Sequence, residues 1–366
     1  MWPGKFIHQP AITLTGANLR TIICDNVIMP MNKNKVTIKE VARRAGVSPA
    51  TASRVAGNYG YVSKAIRQKV LAAIRELGYR PNTVARSMVT KSTHTLGLVV
   101  TDITNPFFAH LMRSVEDITW EAGYTLFLAN TDENVEREEA IIQTILERQV
   151  DGVILVPATS HSTPHLEHFT QQGIPLVLLD RSVAGLAADA VMVDNEHGAY
   201  QAVSHLIRLG HNRIGMVIDN LDISTNTERL AGYRRAHQEA NLPIEEQLVQ
   251  SCQFTEQSAF NLATEMFNHP QRPTALFAAN NFMTLGILRA AREANLRIPE
   301  DIALVGFDDM EWTAFSPLQI TAVAQPVQEL GNVAAKRLLM RLQGDQTSPM
   351  EIRLKTNFII RKSCGS

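Results

Sequence analysis

The chain lacks the features that mark secreted, membrane-embedded and disulfide-rich proteins. It has three cysteines in 366 residues, Cys24, Cys252 and Cys364, which are widely separated. Scattered thiols of odd number fit a reducing compartment and argue against a disulfide framework or a cysteine-based metal cluster. No apolar run approaches the roughly 20 residues that a membrane-spanning helix needs. We therefore expect a cytoplasmic protein that has no membrane partner.

Motifs for catalysis are also missing. The chain has no G-x-S-x-G, H-E-x-x-H, G-x-x-x-x-G-K-[ST] or G-x-G-x-x-G sequence. His161 and His165 have the spacing of a metal pair, but no third ligand is evident, and a solvated loop is the simpler interpretation. We expect no enzyme, cofactor or metal, although an enzyme on a doubly wound fold stays open as an alternative.

Residues 1–34 show little pattern. Only Lys5 precedes a broken apolar stretch, and no small-residue cleavage pattern follows it. The segment therefore does not resemble a signal peptide, and we predict a disordered extension there. Interpretable periodicity begins at Lys35, which suggests Met31 as the physiological start.

Charge is segregated along the chain. Thirteen Lys or Arg and only two acids lie between residues 32 and 92, which gives this segment a charge of +11. Since the whole chain carries −1 and residues 1–31 carry +1, residues 93–366 carry −13. A basic segment of this density attached to an acidic partner is typical of a phosphate-binding module.

The basic module, residues 35–80, shows three helical patterns. Thr37 can cap the first helix, which Gly46 ends. Ser48 and Pro49 then begin a second helix, with proline at the position where its missing N–H costs nothing. Ser63 can cap a third. Two short helices joined by a glycine turn and supported by a third indicate a helix-turn-helix, whose basic surroundings favour DNA binding over a generic three-helix bundle.

The stretch from Val36 to Met88 resembles the DNA-binding headpiece of the lactose/galactose-repressor (LacI/GalR) family of bacterial transcription regulators. The resemblance implies that Pro49, Ala50 and Arg54 face bases in the major groove, where arginine suits guanine. It also implies that three polar residues hold phosphates: Thr51, Ser53 and Asn58.

Residues 81–93 connect the basic and acidic parts. As an isolated helix this connector is too short to be stable in water. The family resemblance implies that it becomes a hinge helix on the operator, with Met88, where leucine is usual, as an apolar wedge between base steps of the minor groove. A flexible linker is the alternative when DNA is absent.

The acidic part alternates short apolar runs with helical patterns such as Ala109–Ala122, Val135–Gln149 and Gly198–Leu209. This alternation predicts parallel sheets covered by helices on both faces, and the length suits two such units. The predicted strands are Leu96–Asp102, Thr125–Asn130, Gly152–Pro157, Pro175–Asp180, Ala190–Asp194, Arg213–Ile218, Leu248–Gln253, Ala275–Asn280 and Ile302–Phe307.

The resemblance extends to the periplasmic-binding-protein-like sensor of the same family, which implies two doubly wound lobes with three crossings between them over residues 94–366. We place these crossings near Asp194, Gln325 and Ser348. The first lobe then comprises about 94–194 and 326–347, and the second about 195–325 and 348–366.

Polar residues follow several of the predicted strands. They are Asp102, Asn105, Asp180, Arg181, Asn280, Asn281, Asp308, Asp309 and Gln325. Ligands of open α/β sheets bind beyond the carboxyl ends of the strands, so these residues predict a cleft. Asp, Asn, Arg and Gln offer planar partners for vicinal hydroxyls, and aromatic faces cover the C–H surface of a sugar. We therefore expect a sugar-like effector.

By resemblance to family sensors and ribose-binding proteins, Asn105, Phe107 and Phe108 lie at the ligand on the first lobe. The remaining positions implied by the resemblance are Asp180, Arg181, Arg229, Asn280, Asp308 and Gln325. Asn281 departs from the usual aspartate and removes one charge. Trp312 either closes over the ligand or serves as a core or interlobe aromatic.

Together these features predict a transcription regulator, by family default a repressor, that binds double-stranded operator DNA and is controlled by a sugar or sugar derivative. One headpiece makes too few contacts for a specific site, which predicts a homodimer. No heptad tail follows Arg361, so we do not expect a tetramer. A ligand-binding protein of sugar uptake is the main rival from another class, and the +11 module speaks against it.

Overall fold

The computed structural model describes residues 36–57, 59–79, 92–161, 163–315 and 317–366. The chain divides into two units, one ending at residue 86 and the other beginning at residue 87. The predictions for the extension, for residues 81–91 of the connector, and for Asn58 and Met88 lie outside the described residues. Within the described part, no helix is both long enough and apolar enough to cross a membrane.

The first unit contains the three predicted helices, α1 (Ile38–Ala45), α2 (Pro49–Ala56) and α3 (Lys64–Leu77). Thr37 and Glu40 form a reciprocal capping box at the start of α1. Gly46 ends α1 with a φ of 68°, a left-handed conformation that glycine adopts without a steric penalty. Ser63 precedes α3 but makes no side-chain capping bond, unlike the prediction.

A small apolar core holds these helices together. Val41 and Ala42 of α1, Ala52 and Val55 of α2, and Val70 of α3 are all buried in it. Because α2 contributes only two buried side chains, the rest of its surface is left for other contacts. The helix-turn-helix prediction is confirmed.

The second unit holds twelve strands among the described residues. Those of the first sheet are β1 (Thr95–Val100), β2 (Thr125–Asn130), β3 (Gly152–Leu155), β4 (Leu176–Leu179), β5 (Asp189–Val193) and β11 (Glu351–Leu354). Those of the second sheet are β6 (Ile214–Ile218), β7 (Val249–Ser251), β8 (Ala275–Ala278), β9 (Ala303–Phe307), β10 (Thr321–Ala324) and β12 (Asn357–Ile359).

Helices cover both sheets. They are α4 (Pro106–Glu121), α5 (Val135–Glu147), α6 (Pro164–Gln172), α7 (Asn195–Arg208), α8 (Ser224–Glu239), α9 (Glu256–Asn268), α10 (Asn281–Glu293), α11 (Glu311–Phe315) and α12 (Val327–Leu342). Each lobe therefore has a sheet whose central strands are near-continuous apolar runs buried on both faces.

The strand orders define two doubly wound lobes. The first sheet runs β11-β5-β4-β3-β1-β2 and the second runs β12-β10-β9-β8-β6-β7. All neighbours pair in parallel except β10 and β12. The nine predicted strands and the two-lobe architecture are confirmed, and β10, β11 and β12 are additional.

The third crossing lies later in the chain than predicted. β11 pairs in parallel with β5, with Glu351 opposite Ala190, so residues 348–354 belong to the first lobe and the chain crosses between Leu354 and Asn357. The reason is a polar network, because Arg341 binds both Asp189 and the Thr347 carbonyl and so keeps this segment on the first lobe. The prediction of a crossing near Ser348 was wrong.

Candidate DNA-binding surface and effector cleft

Helix α2 presents its outward face through residues that the core does not use. Pro49, Ala50 and Arg54 are exposed, whereas Thr51 and Ser53 are half-buried. The Thr51 hydroxyl lies 2.9 Å from the Ser48 hydroxyl, and the Ser53 hydroxyl lies 2.9 Å from that of Tyr59. The two hydroxyls are thus positioned by neighbours, while the guanidinium of Arg54 extends into solvent.

Between the lobes, the strand ends form a cleft. Nine of the ten predicted ligand residues line it, together with four that the sequence analysis did not select. The lining residues are Asn105, Phe107, Phe108, Asp180, Arg181, Asp219, Thr225, Asn226, Arg229, Phe254, Asn280, Asp308 and Gln325. Trp312 is not among them, and its side chain packs against the core of the first lobe, which favours the core interpretation.

Asn105 joins the two walls of the cleft. Its Oδ1 accepts the backbone N–H of Phe107 at 3.0 Å, which caps α4. The same oxygen accepts the side-chain amide of Asn281, from the second lobe, at 2.7 Å. Since the cap fixes this oxygen as an acceptor, its partner must be a donor, which an aspartate at position 281 could not be. The departure at Asn281 therefore has a structural reason.

Asp180 and Arg181 end β4 on the first wall. Arg181 donates to both carboxylate oxygens of Glu133, at 2.6 and 2.8 Å, and to the Pro157 carbonyl at 3.0 Å. Asp180 has a φ of 66°, and its Oδ1 is buried without a hydrogen-bond partner in the described structure. Burial raises the pKa of Asp180 to about 6, against the opposing effects of Arg181 and Arg229.

Arg229 occupies the second wall. Its Nε donates to Asn195 at 2.9 Å, and its Nη1 donates to the Ala279 carbonyl at 2.6 Å. The guanidinium also lies 3.7 Å from the ring centroid of Phe307. These contacts fix a buried cation whose charge favours the ionised form of Asp308.

Asp308 and Gln325 complete the polar set near the interlobe connection. Gln325 donates to Asp308 at 2.7 Å, which leaves the Gln325 Oε1 buried without a hydrogen-bond partner in the described structure. Burial raises the pKa of Asp308 despite the neighbouring Arg229. Asp308 has a φ of 78°, a conformation uncommon for residues other than glycine.

Asp219 is the most informative of the four lining residues that were missed. It follows β6 and accepts the side-chain amides of Asn280, at 2.6 Å, and of Asn226. Burial raises the pKa of Asp219 to about 6. The strand-end rule could have selected Asp219. Phe254 also follows a predicted strand, Leu248–Gln253, but the rule was applied only to polar residues. Thr225 and Asn226 carried no such signal, because they lie in the first turn of α8.

The cleft is small, and polar side chains line both of its walls. The cavity between the walls measures about 30 Å³, far below the roughly 300–1,000 Å³ of typical ligand pockets. A monosaccharide would therefore fit only if the two walls moved apart, which would link its binding to lobe movement.

The supposed histidine metal pair does not form. His161 lies 3.2 Å from Asp222, whereas His165 is buried 2.8 Å from Glu138. No group of three or more His, Cys, Asp or Glu side chains in the described ranges is arranged to hold a metal ion.

A helix-turn-helix joined to a two-lobed, ligand-binding α/β unit defines the class of DNA-binding regulators with a periplasmic-binding-protein-like sensor. Residues 37–82 match the family described as bacterial regulatory proteins, lacI family. Residues 93–362 match the periplasmic binding proteins and sugar binding domain of the LacI family. The chain belongs to the LacI family of transcriptional repressors.

Individual relatives agree with this assignment. The ribose operon repressor of Escherichia coli K12 is 36% identical over 306 residues, which are 84% of this chain and 93% of the relative. The transcriptional repressor PurR of Aliivibrio salmonicida is 34% identical over 329 residues, 89% of this chain and 98% of the relative. The lac repressor dimer bound to operator and an anti-inducer matches with a TM-score of 0.80 at 27% identity, covering 90% and 99% of the two chains.

Proposed function

We propose that this protein is a homodimeric repressor whose operator affinity is controlled by ribose or a closely related monosaccharide. The observation that carries the proposal is the cleft, where nine predicted ligand residues converge and two buried acceptors, Asp180 Oδ1 and Gln325 Oε1, lack partners. Leaving such atoms unpaired costs about 1–3 kcal/mol each. Hydroxyl donors from a ligand would remove that cost.

The composition of the walls supports a small polyol. Carboxylates at Asp180, Asp219 and Asp308 accept from hydroxyls, and Arg181 and Arg229 donate to hydroxyl oxygens. Phe107 and Phe108 lie edge to face, with 5.1 Å between ring centroids, and provide apolar surface for C–H groups. The similarity to a ribose operon repressor favours a pentose among the monosaccharides.

On the DNA side, we infer that Pro49, Ala50 and Arg54 read bases, and that Thr51, Ser53 and Asn58 hold phosphates. The exposure of the first three and the side-chain positioning of Thr51 and Ser53 support these roles. Met88 remains a proposed minor-groove wedge.

Exposed apolar side chains on both lobes support a homodimer. On the second lobe, Phe315 is 86% exposed, and Leu285, Leu288 and Pro317 line a neighbouring groove. On the first lobe, Trp120 is 70% exposed. Apolar patches of this kind mark association surfaces. A dimer would place two headpieces on a pseudo-palindromic operator.

The test combines ligand screening with DNA selection. Purified protein is heated with a panel of D-ribose, other pentoses, hexoses and hypoxanthine, because a specific ligand raises the melting temperature by mass action. Operator fragments are selected from genomic DNA, beginning with the region upstream of the protein's own gene. We expect stabilisation by ribose and a selected site with two half-sites. Stabilisation by hypoxanthine alone, or binding to no fragment above the non-specific level, would contradict the proposal.

A further inference from the structure

Residues 92–94, at the sensor end of the connector, are attached to the first lobe through one carboxylate. Asp151 accepts four hydrogen bonds from residues 92–94. Its Oδ1 accepts the Thr93 backbone N–H at 2.7 Å and the Thr93 hydroxyl at 2.9 Å. Its Oδ2 accepts the Ser92 hydroxyl at 2.5 Å and the His94 backbone N–H at 3.0 Å. One side chain thus fixes three consecutive residues.

The position of Asp151 itself is well determined. It lies between the end of α5 and the start of β3, and its backbone N–H donates to the Thr95 carbonyl at 2.9 Å. The neighbouring Val150 is buried, and the Gln149 carbonyl lies 3.1 Å from the Thr93 hydroxyl, so it shares that single proton with Asp151. Residues 149–151 therefore form a rigid cradle for the segment.

The arrangement requires a carboxylate. All four partners are donors, and they are divided two to each oxygen, which an acceptor-only group can satisfy in full. An asparagine would turn its NH₂ group towards one backbone N–H and one hydroxyl. The bond from that backbone N–H is lost, the hydroxyl can keep a bond only by accepting, and the negative charge is removed. The side-chain volume would hardly change, so this substitution weakens the anchor with little effect on packing.

Two rigid elements lead from the cradle to the cleft. Strand β1 begins at Thr95, beside the cradle, and leads to Asn105 at the cleft. Helix α12 begins two residues after Gln325, and its terminal residues Arg341 and Leu342 line the same cavity as Asp151. A helix of 16 residues spans about 24 Å. These two elements therefore connect the cleft with residues 92–94 inside the first lobe.

We propose that Asp151 is a positioning residue for allosteric control, because it anchors the sensor end of the connector so that lobe movement changes operator affinity. This inference rests on the proposed function. Without the anchor, effector and operator each still bind, but the binding of one no longer changes the affinity for the other.

The test measures coupling rather than activity. Operator affinity is measured for the full-length protein and for its Asp151→Asn variant, in the absence and in the presence of saturating D-ribose. D-ribose affinity is then measured for both proteins in the absence and in the presence of the selected operator. Wild-type coupling is expected to lie within about 5- to 150-fold. In Asp151→Asn the ratio should fall towards one, below about threefold, while D-ribose affinity without DNA stays within about twofold of the wild type.

A matched control is Asp301→Asn. Asp301 accepts three hydrogen bonds from Arg297 on the second lobe, far along the chain from the connector and absent from the cleft lining. It should keep wild-type coupling. If Asp151→Asn does not fold, the double variant Ser92→Ala with Thr93→Val replaces it, since this variant removes the two hydroxyl donors.

The outcomes separate the two claims. A coupling ratio near the wild-type value in folded Asp151→Asn, whatever its melting temperature, overturns the anchoring role. Equal loss of coupling in Asp301→Asn also overturns it, because the effect would then be one of general destabilisation. Failure of the wild type to respond to D-ribose contradicts the proposed effector instead.

Discussion

The two binding surfaces use arginine in opposite environments. Arg54 on α2 is exposed, whereas Arg229 in the cleft is 5% exposed and bound to Asn195 and Ala279. An exposed guanidinium is free to adapt to a polyanion and is screened by salt. A buried one is pre-organised, and its removal leaves other charges without compensation. The comparison teaches that DNA affinity depends on surface charge, and effector affinity on fixed geometry.

The largest effect is expected for Arg229→Ala. A hydrogen bond to a charged group contributes about 1.5–3 kcal/mol, so the loss of two guanidinium donors to the effector should lower effector affinity by at least about 100-fold. Operator binding should persist, because the headpiece is a separate unit. Calorimetric titration with D-ribose and fluorescence anisotropy with operator measure the two. Arg235→Ala, on the exposed side of the same helix, is the control. Loss of operator binding through unfolding would show that Arg229 is structural.

Arg54→Ala should weaken operator binding and leave effector binding unchanged. A bidentate arginine–guanine contact is worth about 1–3 kcal/mol, so specific operator affinity should fall by about 10- to 100-fold, with effector affinity unchanged. Anisotropy with the selected operator and with scrambled DNA checks whether specificity is lost. Arg44→Ala, whose side chain pairs with Glu76 on α3, serves as the headpiece control. An equal loss on both DNAs would assign Arg54 to phosphate binding.

Met88→Ala tests the connector. A wedge recovers unstacking costs of a few kcal/mol through a bent, better-wrapped operator, so its truncation should lower operator affinity by roughly tenfold. Effector affinity in the absence of DNA should not change. Parallel titrations measure both affinities, and Met88→Leu, which restores the residue usual in the family, should bind operator at least as well as the wild type. Equal losses of effector and operator affinity would contradict the wedge.

The smallest effect concerns stability and pH. The native pKa of Asp180, about 6, lies above the unfolded value of about 3.9. Between pH 4 and pH 6 the Asp180 carboxyl is therefore protonated in the native state and ionised in the unfolded state. Burial of the ionised carboxylate destabilises the native state fully above pH 6, and this destabilisation is lost as the pH falls towards 4. Asp180→Asn should raise the melting temperature by a few degrees at pH 7.5, and the gain should shrink as the pH falls through this window.

The Asp301→Asn variant should change the melting temperature in the opposite direction in the same thermal scans. Hydrogen bonds from Arg297 lower the pKa of Asp301 to about 2. The carboxylate therefore stabilises the native state above pH 4, and that stabilisation is lost as the pH falls towards 2. The variant should melt lower at pH 7.5. A melting temperature of Asp180→Asn below that of the wild type at this pH would contradict the buried-charge account of the cleft.

The sequence predicts nine of the twelve strands in the described residues and misses β10, β11 and β12. Gly152–Leu155 and Leu176–Leu179 are buried apolar runs, and such runs identify the central strands. The edge strand Glu351–Leu354 alternates charged and apolar residues over only four positions, so it shows no comparable run. This missed edge displaced the predicted third crossing.

The residues of the candidate site were predicted best where they end central strands. Asp180, Asn280 and Asp308 end central strands and were found by the rule that ligands bind at those ends. Glu133, which orients Arg181, lies in a left-handed turn before α5. Its role depends on a contact between residues 48 positions apart, which no local pattern contains. The orientation of Trp312 was likewise decided by tertiary packing.

The most direct test of effector control is a reciprocal titration of the wild-type protein. Operator affinity is measured by anisotropy at increasing D-ribose, and D-ribose affinity is measured calorimetrically with and without operator. Linkage requires the same factor in both directions, and we expect a factor of about 5 or more. If both ligands bind but neither changes the affinity for the other, the protein is not the allosteric repressor that its cleft and headpiece support.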